Sequence, residues 1–396
     1  MTEKKHILDI QQAGLQNGLK ELGLPKFRAK QIWQWIYEKG VLDPAEMSNI
    51  GKADVEKLAE KLDFSLFEVS EEQVAQDGTV KWLFKMPDGH EIETVFIPER
   101  GRGTLCVSSQ VGCTLNCRFC HTGTQGFARN LSTAEIVGQV WMARHRLGKL
   151  FEEGLRKPYY LHKSEGRKRI LTNIVFMGMG EPLYNWDNVR DACKILMDES
   201  GFAFGSRKIT ISTSGMVKNL PKIGEELGVQ LAISIHAPDN DTRTKIMPVN
   251  IKWPVEELIQ AIRDFPLKAH RRVTFEYVML DGVNDSEWHA HRLVRLIKHT
   301  PSFVNIIPFN EWPGSPFKCS PQKKISEFAH IIEQAEIAVN VRRSRGEDIL
   351  AACGQLRGET SSFNSISLQY PSVVAEYGTE KQKALKKIKV DIQEAD

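Results

Sequence analysis

Residues 103–120 read GTLCVSSQVGCTLNCRFC, a short apolar run followed at once by three cysteines, Cys113, Cys117 and Cys120. Soft sulfur ligands placed so closely on one loop suit an iron–sulfur cluster or a zinc ion. His121 is nominally available as a fourth zinc ligand, but a residue next to Cys120 seldom reaches the same ion without straining the loop. A three-cysteine [4Fe–4S] cluster instead leaves one iron free, and a small molecule with an amine and a carboxylate can chelate that iron.

Downstream of this loop, strand-like runs alternate with helical ones as far as residue 349. One candidate helix, Ser132–Leu147, opens with the capping box Ser132-Thr133-Ala134-Glu135. Repeated β-then-α units imply a parallel sheet with right-handed crossovers, either an open doubly wound sheet or a partial α/β barrel, and the pattern alone does not choose between them. The predicted strands are Leu105–Ser108, Ile170–Met177, Lys208–Ser212, Gln230–Ile235, Arg272–Met279 and Val304–Pro308.

Polar or glycine-rich segments stand where several of these strands end. They are residues 178–181, 212–215, 234–236 and 308–310. Ligands of parallel α/β folds bind at the carboxyl ends of the strands. We therefore expect these segments to line one pocket.

The chain upstream of the cysteine loop has a different pattern. Residues 9–22 and 27–38 have helical spacing of apolar residues, whereas 66–69, 80–86 and 92–97 read as short strands, with a turn signal at Asp88-Gly89. The expected organisation is a helical amino-terminal domain over 1–65, a short β extension over 66–103, an α/β core over 104–358 and a tail over 359–396.

The segment PKFRAKQIWQWIYEKG, residues 25–40, interleaves basic and aromatic side chains. Such a pattern can bind RNA through phosphate contacts and base stacking. From this segment alone, however, an amphipathic helix whose aromatic side chains belong to the core is the favoured interpretation.

Length and composition exclude several classes of protein. The 396 residues are 41% hydrophobic and 26% charged, a soluble globular composition with room for two or three domains. The net charge of +3 is too mild to indicate a polyanion partner by itself. No apolar stretch is long enough to span a bilayer and no secretory signal is visible, so a cytoplasmic protein is expected. The seven cysteines are an odd number, which in a reducing compartment favours metal or catalytic use over disulfides.

The cysteine spacing resembles the signature of the radical S-adenosylmethionine superfamily, including the aromatic Phe119 just before the last cysteine. In that superfamily the free iron binds the methionine moiety of S-adenosylmethionine, and an electron from the cluster cleaves the cofactor to a 5′-deoxyadenosyl radical. The resemblance implies one [4Fe–4S] cluster per chain, held by Cys113, Cys117 and Cys120.

A longer ordered series of segments is similar to the RlmN type of RNA methyltransferase. The segments are TLCVSSQVGC, CRFCHTGTQGFARNL, VFMGMGEPL, ITISTSG, AISIHAP, RVTFEYVMLDGVND and AACGQL. The resemblance implies a partial (β/α)6 barrel, an RNA-binding role for the accessory domain over 1–65, and methylation of C2 of adenosine in 23S ribosomal RNA and in tRNA. It also implies an electron donor such as flavodoxin with its reductase, and a monomer is the default expectation.

The resemblance also assigns roles to residues outside the cluster motif. Cys353 matches the cysteine that takes a methyl group from one S-adenosylmethionine by displacement. A second cofactor molecule then supplies the radical, and this cysteine becomes joined to the RNA as a methylene thioether. Cys106 matches the cysteine that helps to resolve this adduct while Cys353 is captured as a transient disulfide. Glu93 matches the proton acceptor, although strand alternation places it on one face with Glu91, which leaves a solvated pair as the alternative.

The cofactor contacts follow from the same motifs. Gly180 allows close backbone approach, and Glu181 can accept a hydrogen bond from the methionine ammonium. The positions that match the remaining cofactor contacts are Ser212, Ser234, Ile235, His236 and Asn310. Cys193 and Cys319 match nothing, and we expect them to be structural.

Two other functions remain open from the sequence. A Cfr-type enzyme shares the cluster and the cysteine pair but methylates C8, whereas this chain reads MGMGEPL and STSG as RlmN-type members do. A non-catalytic RNA-binding module with a structural metal site is the alternative from a different class, but it gives no reason for Cys106 and Cys353.

Overall fold

The computed structural model describes residues 4–158, 160–163 and 169–357, so the predicted tail over 359–396 lies outside the described residues. In the described part of the chain, no helix is both long and apolar enough to cross a membrane. All seven cysteines are free thiols in the structure.

The amino-terminal region is a small helical unit closed by two short parallel strands. Its first two helices confirm the prediction, but its third helix was not predicted because it buries a single apolar residue, Leu58, and so has little apolar periodicity. The elements are β1 (Lys5–His6), α1 (Gln12–Glu21), α2 (Lys26–Gln34), a π-helical turn (Trp35–Lys39), α3 (Lys52–Lys61) and β2 (Leu62–Asp63).

The aromatic side chains of this unit mostly serve packing. Trp33 and Tyr37 are each 1% exposed, and their rings lie 4.4 Å apart between centroids. This confirms that aromatic residues of the segment belong to the core. Phe27 differs, because 59% of it is exposed.

The predicted β extension is an antiparallel meander. It consists of β3 (Glu68–Val74), β4 (Val80–Lys85) and β5 (Glu91–Pro98), and the β4–β5 turn carries the expected Asp88-Gly89 pair with Gly89 at φ 85°. Strand β5 pairs antiparallel with the first strand of the core, β6 (Gly103–Cys106), where Val95 lies opposite Cys106. The extension and the core therefore share one sheet.

The cysteine loop follows β6. Two short antiparallel strands, β7 (Gln110–Gly112) and β8 (Phe127–Asn130), hold this loop and the one-turn helix α4 (His121–Gln125) between them. At Gly112, with φ 73°, a side chain would put its Cβ 2.1 Å from the carbonyl oxygen of Gly126, so only glycine fits this approach.

The core sheet has seven parallel strands in the described part of the chain, one more than predicted. The first is β6, and the others are β9 (Asn173–Phe176), β10 (Ile209–Thr213), β11 (Gln230–Ser234), β12 (Val273–Met279), β13 (Ser302–Pro308) and β14 (Ala338–Val341), in that spatial order. Strand β14 escaped prediction because it is short and lies at the sheet edge, where it is only partly buried. The order ends at β14 and β3, so the sheet does not close.

Curvature turns this open sheet into a partial barrel. One cavity of about 760 Å³, the barrel cavity, is bounded by residues from every parallel strand at once. They are Thr104, Val175, Thr210, Ala232, Thr274, Phe303 and Val339. A flat sheet cannot surround a cavity in this way, which confirms the partial barrel over the open doubly wound sheet.

Helices connect the strands. The first of them, α5, has the predicted capping box: the Ser132 hydroxyl accepts from the Glu135 N–H, and the Glu135 carboxylate accepts from the Ser132 N–H. The helices are α5 (Thr133–Glu152), α6 (Tyr160–Lys163), α7 (Trp186–Met197), α8 (Leu220–Lys222), α9 (Asn240–Ile246), α10 (Val255–Arg263), α11 (Glu287–Ile297) and α12 (Gln322–Gln334).

Candidate functional site

A second cavity, of about 150 Å³, lies at the carboxyl ends of the parallel strands. We call it the strand-end cavity. It gathers residues from the segments that the sequence places after the strands, as expected for a parallel α/β sheet. The predicted site residues that line it are Cys113, Cys117, Cys120, Phe119, Gly180, Glu181, Ser212, Ser234, His236 and Cys353.

The cysteine loop is fastened to the barrel through its backbone. The Arg118 N–H donates to the Ile246 carbonyl at the end of barrel helix α9 at 3.0 Å, whereas the Cys113 N–H donates at 2.7 Å to the Gly126 carbonyl between β7 and β8, which closes the loop on itself. Just after the loop, the His121 N–H donates to the Gly354 carbonyl at 2.8 Å. The last of these bonds fixes the loop against the segment that carries Cys353.

The chemistry of this donor set fits an iron–sulfur cluster. Burial raises the pKa of Cys113 to about 12 and also raises the pKa values of Cys117 and Cys120. Buried thiols of this kind become thiolates when a metal replaces their protons. Among the described residues, no group of three or more His, Cys, Asp or Glu side chains is arranged to hold a single metal ion.

Gly180 and Glu181 close one side of the strand-end cavity. Gly180 has φ 99°, and a Cβ there would lie 2.5 Å from the Gln110 Cβ, so glycine allows the strand end to touch the cysteine loop. The buried Glu181 carboxylate accepts from the Leu183 N–H at 3.1 Å and the Ser214 N–H at 2.8 Å. Burial raises the pKa of Glu181 to about 6 in spite of these bonds, so the group is mainly a carboxylate at neutral pH.

His236 presents a neutral imidazole ring to the strand-end cavity. Burial lowers its pKa to about 3, helped by the positive charge of Arg243. Its Nδ1 accepts from the Val278 N–H at 3.0 Å, so the ring proton lies on Nε2. Phe119 packs edge-on against the ring, with 4.8 Å between centroids. His236 itself has φ 54°, a left-handed conformation that turns the chain at the end of β11.

Two predicted cofactor residues lie behind the cavity wall rather than on it. Ile235 is fully buried, and its carbonyl accepts from Arg243 Nε at 3.0 Å. Asn310 donates from Nδ2 to the Cys353 carbonyl at 3.2 Å and accepts from the Ser344 hydroxyl at 2.5 Å. Both residues therefore shape the segments that face the cavity.

Cys106 and Cys353, far apart in the sequence, come close enough to share one cation. Nη1 of Arg342 lies 3.5 Å from Sγ of Cys353, and Arg342 also interacts electrostatically with Cys106. Burial raises the pKa of Cys106 to about 12, with a further increase from Cys353 and an opposing effect of Arg342. Cys106 is therefore a neutral thiol at neutral pH.

Glu93 is not the solvated residue that the alternative interpretation expected. It is 5% exposed and pairs with Lys81 at 3.0 Å on the neighbouring strand β4. The Arg357 N–H donates to its other oxygen at 2.5 Å. Burial raises the pKa of Glu93 above its ordinary value, against the opposing charge of Lys81. Glu93 lies outside the lining of the strand-end cavity.

Sequence reasoning missed the buried charged residues beneath the site. Arg243 is fully buried and donates to the carbonyls of Ile235 and Ser214 at 3.0 and 2.7 Å, which ties two strand ends together. Arg342 and Glu276 were missed as well, and both line the strand-end cavity. In a single sequence Arg243 and Arg342 look like ordinary surface charges. The one signal was Glu276, a charged residue inside the apolar run of the predicted strand Arg272–Met279.

The fold and the cysteine loop define a class: the chain is a radical S-adenosylmethionine protein, and the model of the Radical SAM superfamily matches residues 163–294. A second model, the ribosomal RNA large subunit methyltransferase N-terminal domain, matches residues 5–63. The chain is 50% identical over 373 residues, 93% of each protein, to the dual-specificity RNA methyltransferase RlmN of Paracoccus denitrificans (strain Pd 1222). With these matches, the chain belongs to the RlmN family of RNA methyltransferases.

Other relatives agree with this assignment. The dual-specificity RNA methyltransferase RlmN of Ruegeria sp. (strain TM1040) is 52% identical over 349 residues, which cover 87% of this chain and 86% of that protein. A crystal structure of a radical SAM methyltransferase from Sphaerobacter thermophilus superposes with a TM-score of 0.82 at 40% identity, over 89% of this chain and 99% of that chain. The resemblance seen in the sequence is thus confirmed, and the Cfr-type and non-catalytic alternatives are not favoured.

Proposed function

We propose that the protein methylates C2 of adenosine in 23S ribosomal RNA and in tRNA, with S-adenosylmethionine and one [4Fe–4S] cluster. The observation that carries this proposal is the strand-end cavity, because three cysteines of one loop and Cys353 of a distant segment face it together. The names of the relatives, dual-specificity RNA methyltransferases, supply the substrate class.

Within this proposal, Cys113, Cys117 and Cys120 would hold the cluster, which would supply an electron for the reductive cleavage of the sulfonium of S-adenosylmethionine. The Glu181 oxygens each accept one backbone N–H and keep lone pairs for the ammonium of the cofactor's methionine part. The neutral ring of His236 and the side chain of Phe119 offer apolar contacts to the rest of the cofactor. Gly180, Ser212 and Ser234 are the other cofactor contacts in this proposal, whereas Ile235 and Asn310 act from behind the cavity wall by holding the segments that face the cofactor.

The need for Cys353 and Cys106 follows from the chemistry of the adenine carbon that is methylated. C2 of adenine is electron-poor and is a weak nucleophile, so it does not attack a methyl sulfonium directly. Cys353 therefore accepts the methyl group first. This methyl group then loses a hydrogen atom to the 5′-deoxyadenosyl radical of a second S-adenosylmethionine, and the resulting methylene radical on the Cys353 sulfur adds to C2.

The adduct would give up one electron, to the oxidised cluster, and the C2 proton, which leaves a thioether between protein and RNA. Cys106 then attacks the Cys353 sulfur as it loses its thiol proton, and the two sulfurs form a disulfide. The carbon keeps the electron pair of the broken carbon–sulfur bond and takes up a proton as the new methyl group. Glu93, whose pKa burial has raised, takes up the proton lost from C2.

The helical region over 1–65 would contact RNA, and its exposed Phe27 can stack on a base. The cluster needs an external electron, for which we propose flavodoxin with its reductase. We expect the protein to work as a monomer in the cytoplasm, where ribosomal RNA and tRNA are present.

The test is mass spectrometry of nucleosides from ribosomal RNA and tRNA. The RNAs are incubated with anaerobically reconstituted protein, reductant and S-adenosylmethionine, and 2-methyladenosine is the expected product in both. 8-Methyladenosine would move the protein to the Cfr type. No methylated adenosine, in a sample whose cluster still cleaves the cofactor, would refute the proposed substrate.

A further inference from the structure

Arg342 stands between the two cavities of the barrel. It follows directly after β14, and its N–H donates to the Ile306 carbonyl on β13 at 2.8 Å. Its side chain lines both the strand-end cavity and the barrel cavity, as does Glu276 on β12. Strand β14 therefore places the Arg342 guanidinium between the strand-end cavity and the barrel cavity.

The groups around this guanidinium are mostly anions or potential anions. Nη1 donates toward the Cys353 sulfur at 3.5 Å, within hydrogen-bond distance for sulfur. Cys353 raises the pKa of Arg342 further above its ordinary value, with added contributions from Glu276 and Cys106, so the side chain remains charged although it is largely buried. Glu276 is itself held by Asn305 Nδ2 at 2.7 Å, which fixes the carboxylate beside Arg342.

We propose that Arg342 is a positioning residue that holds the sulfur of Cys353 toward the strand-end cavity and stabilises the negative charge on that sulfur as it reacts. A cation in hydrogen-bond contact favours the thiolate form of cysteine, and the thiolate is the nucleophile in displacement reactions. Cys106 lacks such a contact and keeps its proton, so the guanidinium distinguishes the cysteine that is methylated from the cysteine that is not.

This inference rests on the proposed function only in the identity of the methyl donor. The thiol proton of Cys353 passes to water, and the thiolate lone pair forms a bond to the methyl carbon of a sulfonium. The carbon–sulfur bond of the sulfonium breaks, and S-adenosylhomocysteine leaves with that electron pair. No oxidant or reductant takes part in this step.

The first test measures the nucleophilicity of Cys353 without the methyl donor. Full-length protein is made by cell-free synthesis without S-adenosylmethionine, so that Cys353 starts unmodified, and is then reconstituted anaerobically with iron and sulfide. Iodoacetamide is added at neutral pH, and the alkylation of Cys353 is followed by peptide mass spectrometry. We expect Arg342→Gln to slow this alkylation about tenfold, and Arg342→Lys, which keeps a cation, to recover part of the rate.

Two controls separate a local contact from a general effect. Arg343→Gln removes the same charge from the adjacent position, where the side chain is exposed, and should leave the alkylation rate of Cys353 unchanged. Cys319, half-buried and outside the lining of the strand-end cavity, reports on folding in every sample and should react at one rate throughout. A wild-type rate for Cys353 in Arg342→Gln, or equal slowing by Arg343→Gln, would overturn the proposal.

A second measurement separates this inference from the proposed function. S-Adenosylmethionine with a deuterated methyl group is added to the same proteins, and label on Cys353 is quantified. Arg342→Gln should slow the transfer by about the same tenfold factor, and transfer at the wild-type rate would contradict the role of Arg342. Absence of label on wild-type Cys353 would refute the proposed function of that cysteine, whereas the alkylation rates would still decide what Arg342 does.

Discussion

The cysteine loop and the Cys106–Cys353 pair differ in how the chain assembles them. The three cysteines of the loop lie within residues 113–120, and one local turn brings them to the strand-end cavity. Cys106 and Cys353 lie at the first and last parts of the barrel and meet around Arg342 only because the sheet curves. A local site leaves a motif in the sequence, whereas a site built from distant segments leaves isolated residues.

The two regions also differ in charge. Burial raises the pKa values of the loop cysteines, and the positive charge of Arg243 opposes this effect at Cys117 alone. At the cysteine pair, the Arg342 guanidinium is in direct contact with one sulfur. The loop is therefore suited to a metal that replaces protons, and the pair is suited to nucleophilic sulfur chemistry.

The largest effect is expected at the loop. Cys113→Ala should abolish cluster binding and all cleavage of S-adenosylmethionine, because a cluster with two protein ligands is not retained. Iron content and 5′-deoxyadenosine formation measure this, with Cys319→Ala as the matched control that keeps both. An iron-replete Cys113→Ala variant that still cleaves the cofactor would show that the loop does not hold the cluster.

Substitutions in the Cys106–Cys353 pair should change the covalent adduct and leave the cluster intact. Cys106→Ala is expected to trap a protein–RNA adduct, because the thioether forms but is not resolved, whereas Cys353→Ala should never form one. A denaturing gel shows the adduct as a slowly migrating band, while iron content stays at the wild-type value in both variants. If both variants or neither gave the band, the assigned roles would be wrong.

A smaller effect is expected at the buried pair on the β extension. Lys81→Met leaves Glu93 buried without its cation and should lower the free energy of unfolding by about 3 kcal/mol at neutral pH. Loss of Lys81 raises the pKa of Glu93 in the folded protein further. A carboxyl group with such a raised pKa favours the folded state at low pH, where it is protonated, and this contribution is lost as the pH rises through the folded-state pKa. The difference in free energy of unfolding between the wild type and Lys81→Met should therefore be larger at neutral pH than at acidic pH, and urea titrations at both pH values measure it. Lys85→Met, on the same strand but exposed, should change little.

The smallest effect concerns the contact between the loop and the strand ends. Gly180→Ala should lower the free energy of unfolding by about 2 kcal/mol, because its φ of 99° and its approach to Gln110 disfavour a Cβ. Gly101→Ala, at a position with open space around it, is the control. Equal urea midpoints for the two variants would show that the loop tolerates displacement from the sheet.

Much of the fold followed from apolar periodicity, and the missed elements have physical explanations. Helix α3 buries one apolar residue, and β14 is a short edge strand, so neither carries a strong pattern. At the site, Gly180, Glu181, His236 and four cysteines were predicted through motifs and line the cavity; the cysteines are Cys113, Cys117, Cys120 and Cys353. Arg342, Arg243 and Glu276 were not found, because a buried charge is recognised only from the groups that surround it.

By itself, the sequence determined the three-cysteine loop, the alternation of strands and helices in the core, and the family, because each depends on residues that are neighbours along the chain. The tertiary structure decided between an open sheet and a partial barrel, buried Glu93 against Lys81, and brought Arg342 to the Cys353 sulfur. These features depend on curvature and burial, which arise only when segments hundreds of residues apart pack together and exclude water from their charges.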